Sequence, residues 1–145
     1  AQAFLSQTND VLVTSSTTNL SAQSHRNDYA IVFHIRYGKF DGIFTGDADE
    51  RVEPYFTGEF LSPDGIEFLK VPHHGSRTGM TQDFLSWLHP LYATISVGAK
   101  NTYGHPSSQT IQDLMQIGSK IYRTDQNGSI YLVTDGKTMS ISSDR

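Results

Sequence analysis

The stretch Leu69–Met80 reads LKVPHHGSRTGM, a short apolar run followed by two adjacent histidines and a glycine. Buried imidazole nitrogens need hydrogen-bonding partners. A His-His-Gly turn at the end of a strand is therefore a poor way to build a core and a good way to hold a metal. The run IEFLKVP (66–72) reads as a strand that delivers His73 and His74 at its C-terminal end. Downstream, TQDFLSWLHP (81–90) predicts a helix with Thr81 as N-cap, Phe84, Leu85 and Leu88 on one face and Pro90 as the stop. LYATISVG (91–98) is nearly continuous in apolar and small residues, as a strand covered on both faces requires.

After the loop AKNTYGHP, a second helix is predicted over SSQTIQDLMQIG (107–118), with Ile111, Leu114 and Met115 on one stripe and Gly118 as its C-cap. KIYRT, GSIYLVTDG and KTMSIS then close the chain as strands, with turns at DQNG and DGK. Upstream, AIVFHIRYG and FDGIFTGD form a hairpin about Gly38, and Asp47 falls where its second strand ends. From Ala48 to Leu61 the pattern favours a helix in which Pro54 fits only the first turn and Gly58 limits the far end. VLVT (11–14) is a short strand, and residues 14–28, rich in Ser and Thr, read as a flexible loop. Strands that alternate with helices and then return as hairpins imply an α/β layer architecture with a mixed sheet. No internal repeat and no second domain is visible, so residues 1–145 are expected to form a single domain or part of one.

Composition sets the bounds. With 145 residues, 37% of them hydrophobic, the chain has material for one real core. Eleven Lys plus Arg against 15 Asp plus Glu give a formal charge of −4, so no broad basic surface announces a nucleic acid, which would have to be engaged locally. No apolar run approaches the length that spans a bilayer, and the start, AQAFLSQTND, is neither Met nor a charged signal peptide. A soluble, processed or excised piece is the expectation. The absence of Cys leaves His, Asp and Glu as the strong metal ligands.

Asp47, His73, His74 and His105 all fall just past the ends of predicted strands or in the loops that follow, the edge on which layered α/β folds build sites. A carboxylate and imidazoles converging there suit a zinc or manganese centre, in which the metal polarises an electrophile and generates hydroxide from bound water. Each residue also has a plainer reading. Asp47 could cap the following helix, His105 could cap the SSQTIQDL helix, and one of His73 and His74 could orient the other. Ser76 could cap its turn or contact a phosphate oxygen, while Arg77 and Arg123 could pair with anions or with nearby carboxylates. His25, His34 and His89 read as a loop, a strand and a helix-end residue.

Taken in order, NDYAIVFHIRYGKFDGIFTGDADERVE, FLKVPHHGSRTG, ISVGAKNTYGHP and IYRTDQNGSIYLVTDG resemble the successive blocks of the metallo-β-lactamase-fold domain at the C-terminus of ComEC-type competence DNA-uptake proteins and of their free-standing hydrolase relatives. The similarity runs from about Val11 to about Ile141. It implies an αββα sandwich with two metals at one edge and a bridging hydroxide that attacks a phosphodiester or another ester. It also implies that Asp47 is a metal ligand, and it favours His74 as the ligand of the histidine pair, with His73 beside it as a further ligand or catalytic neighbour. His105 is expected as a ligand or as a catalytic group that stabilises charge on the substrate. Asn101 and Tyr103 would shape the same loop and, with Ser76, contact substrate. Membership of a DNA-uptake protein would place the domain outside the cytoplasm.

Two departures from that pattern matter. The motif His-x-His-x-Asp-His, which supplies the family's first metal ligands, occurs nowhere in the chain, and the Asn-x-x-Ser block appears as Asn27, Asp28, Tyr29, Ala30. The chain therefore resembles the C-terminal half of the domain. One expectation is part of a metal-dependent phosphodiesterase or nuclease, inactive until a partner supplies the missing half. The other is a non-catalytic interaction module that keeps remnants of the site and pairs with itself or another protein.

Overall fold

The computed structural model describes residues 6–8, 11–16, 27, 30–55 and 65–145. Seven strands, β1 (Ser6–Thr8), β2 (Val11–Ser16), β3 (Val32–Tyr37), β4 (Phe40–Phe44), β5 (Phe68–Lys70), β6 (Tyr92–Ile95) and β7 (Lys120–Arg123), form one sheet in chain order. The first four are antiparallel neighbours, and β4 to β7 run parallel. The expected α/β chain with a mixed sheet is what forms. The strand expected over VLVT continues through Ser16, which pairs with Val32, so residues 14–16 belong to the sheet and not to the loop. Except for Asn27, the remainder of that loop, with His25, lies outside the described residues.

Parallel strands need crossovers, and the helices supply them. α1 (Gln82–Leu88) joins β5 to β6, and α2 (Ser108–Gln116) joins β6 to β7. The Thr81 side chain accepts the Phe84 N–H at 3.1 Å, the capping bond that the sequence predicts. Ile43, Leu69, Ala93 and Ile121 stand in register across β4 to β7 on one face, and Phe84, Leu85, Leu88 and Leu114 belong to the same core. On α2 the buried stripe centres on Thr110 and Leu114. Met115, about 100° further round the helix, turns to solvent at 66% exposure, which corrects its expected place in the core.

Two further elements differ from expectation. Between β4 and β5 the described backbone forms a short 3₁₀ helix, Glu50–Tyr55, in place of the first part of the longer helix expected over 48–61, and Pro54 stands near its end. A proline has no N–H to continue the ladder. Residues 56–61 of that expectation lie outside the described residues. The DQNG turn is closed instead by a one-turn helix, α3 (Thr124–Asn127). The Thr124 hydroxyl accepts Val97 N–H at 2.7 Å and donates to Val97 O at 2.8 Å, so the end of β6 is tied to the chain beyond β7. β8 (Ile130–Thr134) and β9 (Met139–Ser143) form a separate hairpin, joined to the tip of the β3–β4 turn where Lys39 N–H donates to Gly136 O at 2.6 Å.

The sheet's other face is aromatic. Phe33 pairs with Phe44, and Phe68 with Tyr92, while Tyr122 lies in register with Thr94. On this face Phe33 is 41% exposed and Phe68 is buried; on the separate hairpin Tyr131 and Val133 of β8 are exposed at 52% and 64%.

Candidate metal centre

Because β4, β5 and β6 run parallel, their C-terminal ends open on one edge of the sheet. Asp47 follows β4, His73 and His74 follow β5, and His105 lies in the loop after β6, so the edge expected to carry the site carries all four. The turn after β5 is conformationally costly. His73 (φ 46°) and His74 (φ 53°) both occupy the left-handed region that L-residues avoid, and Gly75 (φ 79°) follows them. Each such non-glycine residue costs on the order of 1–3 kcal/mol and persists only where its surroundings over-determine it.

Those surroundings are identifiable. The Gly75 carbonyl accepts Ser107 N–H at 2.8 Å and the Thr110 hydroxyl at 3.1 Å, and the Ser76 carbonyl lies 3.2 Å from the same hydroxyl. The first turn of α2 thus grips the His-His-Gly turn from behind. His73 N–H donates to Gly46 O at 3.2 Å, which joins the turn to the loop that carries Asp47.

With the backbone held, the side chains fall into two pairs. His74 Nδ1 lies 2.7 Å from Ser96 O. A carbonyl only accepts, so Nδ1 carries the proton, and in the neutral ring Nε2 presents a lone pair. That lone pair faces Asp47 Oδ1 at 3.5 Å, with both side chains about half exposed. A proton on Nε2 or a metal ion would bridge the two acceptors, which water otherwise solvates at this exposure. Two donors of a tetrahedral zinc, each about 2.0–2.2 Å from it, lie about 3.4 Å apart, and a histidine whose other nitrogen donates to a carbonyl is the usual metal-ligating arrangement. The donor pair fits a divalent cation.

The second pair is His73 and His105, edge to face with ring centroids 5.7 Å apart. The Asn27 side-chain Nδ2 lies 3.2 Å from His73 Nδ1 and 3.4 Å from its Nε2, against the ring and not along either lone pair. Burial, with the charges of His73 and His74 adding to it, holds the His105 imidazole below its ordinary pKa. Asn101 closes the loop before it: its Nδ2 donates to Gly98 O at 3.0 Å and to His105 O at 2.8 Å, and its Oδ1 accepts His105 N–H at 3.1 Å. Tyr103 lies nearly parallel to the His105 ring, with centroids 6.0 Å apart. Among the described residues no group of three or more imidazoles and carboxylates is placed to hold one ion.

The plainer readings can now be sorted. Asp47 caps no helix; the 3₁₀ helix after it is entered through Asp49, whose carbonyl accepts Val52 N–H at 2.9 Å. Ser107, and not His105, caps α2. Ser76 Oγ accepts Thr78 N–H at 3.4 Å, the turn-capping alternative. Arg123 pairs with Asp125, Nη2 to Oδ2 at 2.6 Å, and Arg77 is exposed. His34 is a buried strand residue bonded to Asp41, and His89 ends α1. Three contributors carry no signal in the sequence, the Ser96 carbonyl, Thr110 and Lys70, while Asn27 enters from the Asn-x-x-Ser block with no partner announced. Lys70 donates to Gly46 O at 3.2 Å, and burial lowers its pKa while Asp47 partly restores it.

The sheet edge that sets Asp47 against His74 is the candidate site, and the chain's relatives name its family. No protein-family model matches the chain. ComE operon protein 3 of Bacillus subtilis is 34% identical over 105 residues, 72% of this chain and 13% of that protein. Competence protein ComA of Neisseria gonorrhoeae is 31% identical over 104 residues, 72% of this chain and 15% of its own length. Recombination protein 2 of Haemophilus influenzae is 30% identical over 104 residues, 72% and 13%. The chain is homologous to a segment of the ComEC-type competence proteins and spans less than a sixth of the length of each of these relatives.

Proposed function

We propose that this chain is the C-terminal half of a metallo-β-lactamase-like domain, part of a metal-dependent phosphodiesterase of the ComEC type that acts on DNA during its uptake. The observation that carries this reading is the facing of His74 Nε2 and Asp47 Oδ1 at 3.5 Å, with His74 oriented through Nδ1 by Ser96 O. A divalent cation, zinc or manganese, would there polarise a phosphoryl oxygen and activate water near neutral pH. Asp47 and His74 hold the ion. His73 packs against the Asn27 amide on one side and edge to face with His105 on the other. His105, whose pKa burial and the neighbouring histidines lower, offers a ring N–H to the charge that develops on a substrate oxygen.

Two donors are fewer than the three protein ligands of a typical catalytic zinc, so the remaining ligands come from the absent His-x-His-x-Asp-His stretch. Phe33, 41% exposed on the aromatic face, is consistent with a further element packing there, because bare apolar area costs about 25 cal/mol per Å². The test is to co-express the chain with the stretch of its parent protein that carries that motif, and to measure bound metal beside hydrolysis of bis-nitrophenyl phosphate. Metal-dependent hydrolysis that falls in His105→Ala with metal retained supports the reading. A completed domain that binds no metal refutes it.

One observation favours a second reading: among the described residues no group of three ligands converges. On it, the chain is a non-catalytic module whose aromatic face meets a second copy or another protein. An upstream sequence that lacks the histidine motif would decide for it.

A further inference from the structure

Next to the paired donors, His74, Val97, Gly98, Asn101, Tyr103 and His105 line a cleft of about 170 Å³. Sites that enclose a whole small ligand measure roughly 300–1,000 Å³, so this one is sized for a single ring or group. Tyr103 forms its rim and is 82% exposed, an aromatic face that the core does not use. Its ring lies within 16° of parallel to His105. The Asn101 side chain donates to Gly98 O and His105 O and accepts His105 N–H, which closes the loop backbone that carries both rings. None of the lining residues is a lysine or an arginine, and the whole chain carries a charge of −4, so attraction for a phosphate backbone is weak here.

We infer that Tyr103 and His105 form a stacking platform for the base next to the scissile phosphodiester, so that this site selects single-stranded polynucleotide through the face of a base. This rests on the phosphodiesterase reading and supplies its substrate class. Every base has a π-face, so such a platform tolerates any sequence, and a base paired inside a duplex is not free to use it.

The experiment compares a fluorescent thymidine oligonucleotide with an abasic one of the same length and charge, by anisotropy, on the 145-residue chain with chelator present. The chain should prefer the thymidine oligonucleotide by about tenfold, within the range that one base–aromatic stack supplies. The preference should vanish in Tyr103→Ala and survive in Tyr103→Phe. Equal binding of the two oligonucleotides by the wild type, including no binding of either, overturns the inference. So does a preference that outlasts Tyr103→Ala, or one lost in Tyr103→Phe. The chelator separates this outcome from the metal chemistry: metal-dependent hydrolysis by the completed domain without a base preference would sink the platform alone.

Discussion

Gly75 to alanine is the perturbation that most directly probes how the His-His-Gly turn is held. At φ +79° an L-residue costs about 1–2 kcal/mol. A Cβ there would also sit 2.6 Å from Pro106 Cβ, 3.2 Å from Pro106 Cα and 3.3 Å from Cγ2 of the buried Ile95. Overpacking of this kind costs typically about 1–3 kcal/mol, so the total is about 2–5 kcal/mol, a large share of the roughly 5–15 kcal/mol that stabilises a domain. Gly118 supplies the control. Its φ is +78° and a methyl group added there would meet nothing within 4 Å, so Gly118→Ala should show the backbone part alone, about 1–2 kcal/mol. Urea unfolding followed through Trp87 measures both. Equal losses in the two variants would refute the claim that Pro106 presses on the turn.

Other expectations can be measured in the same way. Thr110→Val removes the hydroxyl that serves the Gly75 and Ser76 carbonyls and should cost about 1–3 kcal/mol; a neutral result in urea would mean that the grip of α2 on the turn is not energetic. Burial raises the pKa of Glu53 although Thr81 donates to it through N–H at 2.5 Å and Oγ1–H at 2.7 Å. A folded pKa above the unfolded one gives a contribution that is complete below the unfolded pKa and is lost as pH rises through the folded value. Wild type should therefore lose stability relative to Glu53→Gln as the pH is raised from below the ordinary glutamate range to neutrality, and a difference independent of pH in urea titrations would count against the raised pKa.

What the sequence made legible was local or periodic. Thr81 three residues before Phe84, the two-residue turn at Gly38 and the alternation of strands with helices each write their geometry within a few positions. Met115 stands outside the core because two adjacent apolar residues on a helix cannot both face its centre, and Thr110, a polar residue, takes the second place there. The edge that holds Asp47, His73, His74 and His105 followed from strand order. Their partners did not. The atom that orients His74 is a backbone carbonyl, which no residue letter announces, and Asn27 reaches His73 across 46 positions. Thr110 reads as an ordinary helical threonine until its hydroxyl is seen against the His-His-Gly turn.

The central claim is that Asp47 and His74 are donors to one metal ion, and metal content tests it most directly. The domain completed by its histidine-motif stretch is purified as wild type, Asp47→Asn and His74→Ala, equilibrated with limiting zinc or manganese, and assayed for bound metal per chain. The account predicts stoichiometric metal in the wild type and at least tenfold weaker binding in each variant, since each loses a ligand. Full metal retained by both variants would contradict it.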